Sequence, residues 1–139
     1  MEIEEAKREL KEYTENKRYL EQKQEDIERL TEQINKVTAT YSDMPRSTGN
    51  SKEDLIAKKL DLESVVFSYL ITLVDKKIVI EKTLQKLRPR YRNVLDFLHV
   101  EDMTMGEVAA KEHYSSRHCE RILAEAYKQY AKARGDKNE

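Results

Sequence analysis

The sequence predicts an all-α protein in which a long antiparallel helical hairpin precedes a C-terminal helix-turn-helix domain. Gly and Pro, which interrupt helices, occur only three and two times in the 139 residues. Apolar residues recur at three- and four-residue steps through two long stretches, as in coiled coils. Residues 104–127 add the caps and the apolar faces of two shorter helices.

Residues 2–38 form the first predicted helix. Lys17 and Gln24 interrupt its apolar seam, and polar residues at such positions lower stability but can fix register or partner choice. Residues 1–40 hold eight Lys or Arg against eleven Asp or Glu, a net −3, so we do not expect nucleic acid to bind here. The seam comprises Ile3, Ala6, Leu10, Tyr13, Leu20, Ile27, Leu30, Ile34 and Val37.

A loop is predicted at residues 39–51. Pro45 disfavours helix at the residue before it, and Gly49 with Asn50 forms a turn signal. Ser51 is then placed to cap the next helix. The segment is either a plain connection or a docking loop that presents Tyr41, Met44 and Arg46.

The second predicted helix spans residues 52–86 and has a seam of its own. This seam comprises Leu55, Leu62, Val66, Tyr69, Leu73, Ile80, Leu84 and Leu87. Around residues 66–74 the apolar face is wider than one seam, which implies more than one packing partner. We expect one seam to pair with the first helix, and the surplus to pack on the C-terminal domain or on a second subunit. The surplus residues are Phe67, Leu70, Ile71 and Val74.

A basic stretch joins the hairpin to the C-terminal domain. Residues 82–95 contain five Lys or Arg and no acidic residue. Pro89 fits the first turn of a helix over about residues 90–99, where its missing N–H costs little. Tyr91, Val94, Leu95 and Leu98 would form the core face of that helix, and His99 would lie at its end.

Residues 104–127 carry a helix-turn-helix pattern. Thr104 with Glu107 has the spacing of a capping box for a helix over about residues 105–111. His113 stands in the turn where Gly is usual, and Ser115, or Ser116 in its place, caps a longer helix. The apolar face of that helix comprises Cys119, Ile122, Leu123, Ala126, Tyr127 and Tyr130. A short helix, a short turn and a longer helix together indicate DNA binding, with the second helix in the major groove.

The start of that second helix carries the predicted base contacts: Ser116, Arg117, His118, Glu120 and Arg121. An Arg can form two hydrogen bonds to guanine or can clamp a phosphate. Residues 115–134 hold five basic and two acidic residues, a net +3, which has the sign that DNA requires. Predicted phosphate contacts are Thr104, Lys86, Arg88, Arg90, Arg92, Lys111, Tyr114 and Lys128. The alternative interpretation is a solvated face on a small helical bundle, with a solvated hinge at the basic stretch.

Three segments, residues 87–98, 103–110 and 114–123, together resemble region 4 of the sigma-70 family. More narrowly, the chain is similar to sigma-like transcriptional regulators of phages and prophages in low-GC Gram-positive bacteria, the RinA/ArpU-like group and its relatives. These relatives also begin with a long helical segment and carry a loop similar to residues 41–47. The resemblance implies a C-terminal domain of sigma-70 region 4 type, control of transcription and contact with RNA polymerase.

Other classes of protein fit the composition less well. The single cysteine, Cys119, permits no internal disulfide and indicates a reducing compartment. His113, His118 and Cys119 lack the spacing of a zinc site, so we predict no metal and no cofactor. No catalytic set of side chains is evident, which argues against an enzyme. With no apolar run long enough to span a membrane and no secretory signal, we expect a cytoplasmic protein.

The predicted organisation is a helical arm at residues 1–86, a DNA-binding domain at residues 87–133 and a frayed tail at residues 134–139. The predicted function is sequence-specific binding of double-stranded DNA to regulate transcription, by a homodimer formed through the arm. The alternative is a non-enzymatic helical adaptor or antagonist that acts through protein contacts of the arm.

Overall fold

A computed structural model describes residues 1–40 and 51–135, and within these ranges it contains helices and turns but no strand. The all-α prediction is confirmed, with a long first helix. The five α-helices are α1 (Ile3–Thr40), α2 (Lys52–Leu84), α3 (Pro89–Leu95), α4 (Met105–Lys111) and α5 (Ser116–Gly135). A π-helical turn, Asp96–Val100, continues α3. None of the described helices is long and apolar enough to cross a membrane.

The ends of the two long helices follow local signals. Ser51 caps α2, because its Oγ accepts a hydrogen bond of 3.2 Å from the N–H of Asp54. α2 ends at Leu84, two residues before the predicted end, where the chain turns ahead of Pro89. The predicted loop residues 41–50, with the docking candidates Tyr41, Met44 and Arg46, lie outside the described ranges.

The chain divides into two compact units. The larger unit comprises Met1–Asn16 and Leu73–Glu139, and the smaller unit comprises Lys17–Thr72. The larger unit exceeds the predicted domain at residues 87–133, because the start of α1 and the end of α2 contribute buried side chains to its core. These include Ala6, Leu10, Tyr13, Ile80 and Leu84, together with Val94, Leu95, Val108, Cys119, Ala126 and Tyr130.

Two polar clusters connect α1 to the rest of the larger unit. Glu9 accepts hydrogen bonds from the Tyr130 hydroxyl at 2.6 Å and from Arg134 Nε at 3.2 Å. Arg134 therefore lies in α5, which extends to Gly135, and does not begin a frayed tail. His99 lies in the last turn of the helical segment, as predicted, and its side chain is buried there. The Thr14 hydroxyl lies 2.8 Å from the carbonyl oxygen of His99, to which it donates.

The smaller unit uses the predicted seams only in part. Leu20 and Leu55 are buried, while the other seam residues of α1 in this unit, Ile27, Leu30, Ile34 and Val37, are half-buried. The rings of Tyr19 and Tyr69 pack with their centroids 5.1 Å apart and connect α1 to α2. The surplus apolar residues Phe67, Leu70 and Ile71 stay exposed.

Candidate nucleic-acid interface

The start of α4 is fixed by a complete capping box. Thr104 Oγ1 accepts from the N–H of Glu107 at 3.2 Å, and Glu107 Oε1 accepts from the N–H of Thr104 at 2.9 Å. The hydrogen bond from the Thr104 N–H to the carboxylate, with a further contribution from the Thr104 side chain, lowers the pKa of Glu107. Val108 and Ala109 on the inner face of α4 are buried. The predicted cap is confirmed, and it sets where α4 begins.

The turn after α4 has the geometry of a Schellman motif. His113 takes a left-handed conformation with φ of 59°. The N–H of Tyr114 donates to the carbonyl of Ala109 at 2.9 Å, and the N–H of His113 donates to that of Ala110 at 3.3 Å. The prediction that His113 would hold the left-handed turn position is confirmed. The chain therefore reverses within a few residues, which sets the placement of α5 relative to α4.

Ser115, and not Ser116, caps α5. Ser115 Oγ accepts from the N–H of His118 at 3.1 Å, and its carbonyl accepts from the N–H of Cys119 at 2.9 Å. Ser116 is the first helical residue, and its side chain is exposed. Its hydroxyl is therefore not needed for the cap and can contact a ligand.

The first two turns of α5 have a buried side and an exposed side. Cys119 and Ile122 are buried in the core of the larger unit, and burial raises the pKa of the Cys119 thiol. Arg117 and Arg121 are exposed and lie four residues apart, so they project on one side of the helix. In residues 1–40 and 51–135 neither arginine forms an ion pair. The exposed side comprises Ser116, Arg117, Glu120 and Arg121.

His118 has a different environment from the other predicted base contacts. Its side chain is half-buried, and its ring meets that of Tyr114 edge-on, with centroids 4.7 Å apart and an interplanar angle of 89°. Tyr114 is half-buried as well. Both rings pack around the turn, so each has less surface available to DNA than Arg117 or Arg121.

The four basic side chains of residues 86–92, part of the basic stretch, do not lie together in the structure but have three different surroundings. Lys86 and Arg88 line a cleft of about 340 Å³ that also borders Gln129 of α5. Arg90 instead stacks on the ring of its neighbour Tyr91 at 4.8 Å and donates to the Tyr91 hydroxyl at 2.8 Å.

Arg92 lies in a second cleft, and acidic residues there oppose binding of an anion. This cleft also contains Glu81 and Asp96. Burial raises the pKa of Asp96, with further contributions from Glu101 and Glu81. Arg92 is therefore a poor candidate for a phosphate contact, whereas Lys86 and Arg88 remain good ones.

Three further phosphate candidates are exposed. The Thr104 hydroxyl is engaged in the capping box, where its oxygen accepts from the Glu107 N–H and its side chain also hydrogen-bonds the Glu107 carboxylate, so it is a poorer phosphate candidate than the two lysines. Lys111 lies over the Phe97 ring, with Nζ 4.4 Å from its centroid. Lys128 follows Arg121 by seven residues, or two turns, and is therefore on the same side of α5.

The start of α1 packs against the second half of α5. Lys7 Nζ lies 5.5 Å from the centre of the Tyr127 ring, and Glu9 binds Tyr130 and Arg134. These contacts begin six residues after Arg121. Residues 116–121 therefore stay exposed on the side opposite the core, and the start of α1 does not cover them.

A buried polar cluster of His99, Tyr127 and Thr14 lies beneath the second half of α5 and was not predicted from the sequence. His99 Nε2 lies 2.6 Å from the Tyr127 hydroxyl oxygen, and His99 Nδ1 lies 3.4 Å from Thr14 Oγ1. Burial, with Lys11 nearby, lowers the pKa of His99 to about 4, and burial raises the pKa of Tyr127 to about 12. Both side chains are thus neutral at pH 7. The only signal in the sequence was a histidine among apolar residues, which local spacing cannot assign to a partner 28 residues away.

No family model, curated protein or solved structure matches the chain. The described residues also contain no group of three or more His, Cys, Asp or Glu side chains arranged to hold a metal ion.

Proposed function

We propose that the protein binds double-stranded DNA sequence-specifically and regulates transcription, with α5 in the major groove. The observation that carries this proposal is the exposed start of α5, where Arg117 and Arg121 project side by side from a helix held by a capped α4 and a Schellman turn. In helix-turn-helix proteins the N-terminal residues of the second helix contact base edges. A fixed α4 and turn hold the backbone of α5 in place before binding, so less backbone entropy is lost when DNA binds.

Each exposed side chain at the start of α5 has a role that its chemistry permits. Arg117 and Arg121 can each donate two hydrogen bonds to O6 and N7 of guanine. Glu120 can accept from the amino group of cytosine. Ser116, at the N-terminus of α5, can donate to a phosphate next to the unpaired backbone N–H groups of the first turn.

Backbone contacts would extend the interface beyond these bases. Lys128 lies about 10 Å along the helix axis from Arg121 on the same side, which suits a neighbouring phosphate. Lys86 and Arg88, in the cleft beside Gln129, provide a second group of positive charges that could bind a phosphate. Such contacts strengthen binding and fix orientation without reading sequence.

The resemblance to sigma-70 region 4 favours a role at promoters. Contact with RNA polymerase and a phage or prophage origin are parts of the same proposal that depend on this resemblance alone. A second candidate function is a helical adaptor that acts through protein contacts. The exposed apolar side chains of α2, such as Phe67, favour it.

Selection of duplexes from a random pool, followed by titration with salt, tests the proposal. We expect one motif to be enriched and bound well above a scrambled duplex. With about four to six phosphate contacts, affinity should fall roughly 10²–10³-fold between 50 and 200 mM salt. Failure to enrich any motif at low salt would contradict specific binding by the isolated protein and would favour the adaptor.

A further inference from the structure

The smaller unit leaves one apolar face of α2 uncovered. Phe67 is 65% exposed, Leu60 60% and Ile71 51%. Ile56 and Leu70 are exposed as well. We call these five apolar residues, together with Glu63, which lies between them on the same face, the α2 stripe.

The α2 stripe has the spacing of a coiled-coil seam. Ile56, Leu60, Glu63, Phe67 and Leu70 follow one another at alternating steps of four and three residues. At about 100° per residue, they and Ile71 lie within an arc roughly 100° wide. Such a seam fits another helix with the same spacing. Glu63 is the one charged residue within it.

This stripe is distinct from the seam that α2 uses within its own unit. Leu55 is buried, and Leu62 and Val66 are half-buried, on a face that lies about 120° around the helix from the stripe. Tyr69, which packs on Tyr19 and remains 44% exposed, lies on that same side of α2. α2 therefore carries two apolar seams, of which the smaller unit covers one.

We propose that two copies of the chain associate through the α2 stripe, an interface that does not depend on the proposed binding to DNA. At these exposed fractions the five apolar residues expose roughly 500 Å² per copy, against about 800 Å² per partner in a standard interface, so flanking polar residues need add only the remainder at the rim. In a two-fold interface each copy contributes the same surface, and a stripe that is apolar except for Glu63 is largely complementary to itself. Among the described residues, α2 carries the exposed seam with coiled-coil spacing. The α2 helix of a second copy therefore has the spacing that this seam requires of a partner.

Glu63 limits this association and helps to specify it. A carboxylate within an apolar seam loses hydration when the seam closes, which weakens the dimer. Polar residues at single seam positions of coiled coils fix register at this same cost. The acidic side chain also makes a nucleic-acid partner for this stripe unfavourable.

Sedimentation equilibrium of the full chain, without DNA, tests the interface. We expect the wild-type protein to dimerise, and Leu60→Lys with Phe67→Lys to raise the dissociation constant at least 100-fold. Val65→Lys is the matched control, because Val65 is 38% exposed on the same helix and faces away from the stripe. It should change the constant less than threefold, with helicity by circular dichroism equal in all variants.

A second variant should strengthen the dimer, which a misfolded protein could not mimic. Glu63→Leu completes the seam and is expected to lower the dissociation constant at least threefold. A wild-type protein that stays monomeric up to 500 µM would overturn the proposal. It would indicate that the α2 stripe binds a different protein. Equal weakening by Val65→Lys, or no tightening by Glu63→Leu, would also overturn it.

Discussion

Arg117 and Arg121 differ from Arg90 and Arg92 in their surroundings. Both are exposed at the start of α5, whereas Arg90 stacks on Tyr91 and Arg92 shares a cleft with acidic residues. A guanidinium beside carboxylates binds an anion less well than one without them, since the carboxylates repel it. Surroundings, more than residue type, therefore distinguish the better candidates for DNA contact from the poorer ones.

His113 occupies a backbone conformation that glycine adopts without strain. His113→Gly should raise the free energy of unfolding by up to about 1 kcal/mol, because the left-handed conformation costs a residue with a Cβ atom. The matched control is Ala110→Gly in the exposed part of α4, which should lower it by about 1 kcal/mol. Urea denaturation measures both. A loss of stability in His113→Gly would contradict the assigned turn.

His99 should make stability depend on pH. The folded pKa of about 4 lies below the usual 6.5. Between these values the unfolded state binds a proton that the folded state does not, so stability falls as pH falls. From pH 7 to pH 5 the loss should be roughly 2 kcal/mol from this group.

Urea denaturation at several pH values of the wild type and of His99→Gln measures this contribution. The variant should lose the slope between pH 7 and pH 5 that His99 contributes. His118→Gln, at a half-buried position, should keep it. An unchanged slope in His99→Gln would show that His99 titrates in the same way in both states.

At the scale of elements, the caps explain why α4 and α5 could be predicted closely. Thr104, Ser115 and the turn at His113 act within a few residues of themselves, so their spacing in the sequence suffices. The π-helical turn Asp96–Val100 could not be predicted in this way. Its wider turn changes which side chains face the core, and His99 becomes buried as a result.

Loss of the α5 cap should lower the stability of the fold and, through it, the proposed binding of DNA. Ser115→Ala removes the acceptor for the N–H of His118 and should cost about 1 kcal/mol of stability. Ser116→Ala is the control, since Ser116 is exposed and does not cap the helix. It should change stability by less than about 0.5 kcal/mol. Thermal denaturation of both variants checks this, and equal losses would contradict the assignment of the cap.

At the scale of the whole molecule, the start of α1 shares a core with the elements of the candidate interface. Glu9 and Tyr130 are 121 residues apart, and no local pattern connects them. The seam of α1 predicted that Ala6, Leu10 and Tyr13 would be buried, and they are. It could not predict their neighbours, because an apolar seam fits many partners. The boundary expected at residue 87 misses this shared core for the same reason.

Removal of the Glu9 carboxylate should destabilise the larger unit. Glu9→Leu takes an acceptor from the buried Tyr130 hydroxyl and the ion-pair partner from Arg134, and should cost about 1–3 kcal/mol. Glu12→Leu, at an exposed position on the same helix, should cost less than about 0.5 kcal/mol. Urea denaturation that finds equal effects would contradict a role for α1 in this unit.

The most direct test of the account is the affinity ratio between the selected duplex and a scrambled one, measured by fluorescence anisotropy. Arg117→Ala with Arg121→Ala should lower this ratio at least about 30-fold, since each bidentate contact to guanine contributes about 1–3 kcal/mol. Arg8→Ala with Arg29→Ala removes the same charge from exposed positions of α1 and should leave the ratio unchanged. A ratio that falls equally in both double variants, or in neither, would contradict reading of DNA by the start of α5.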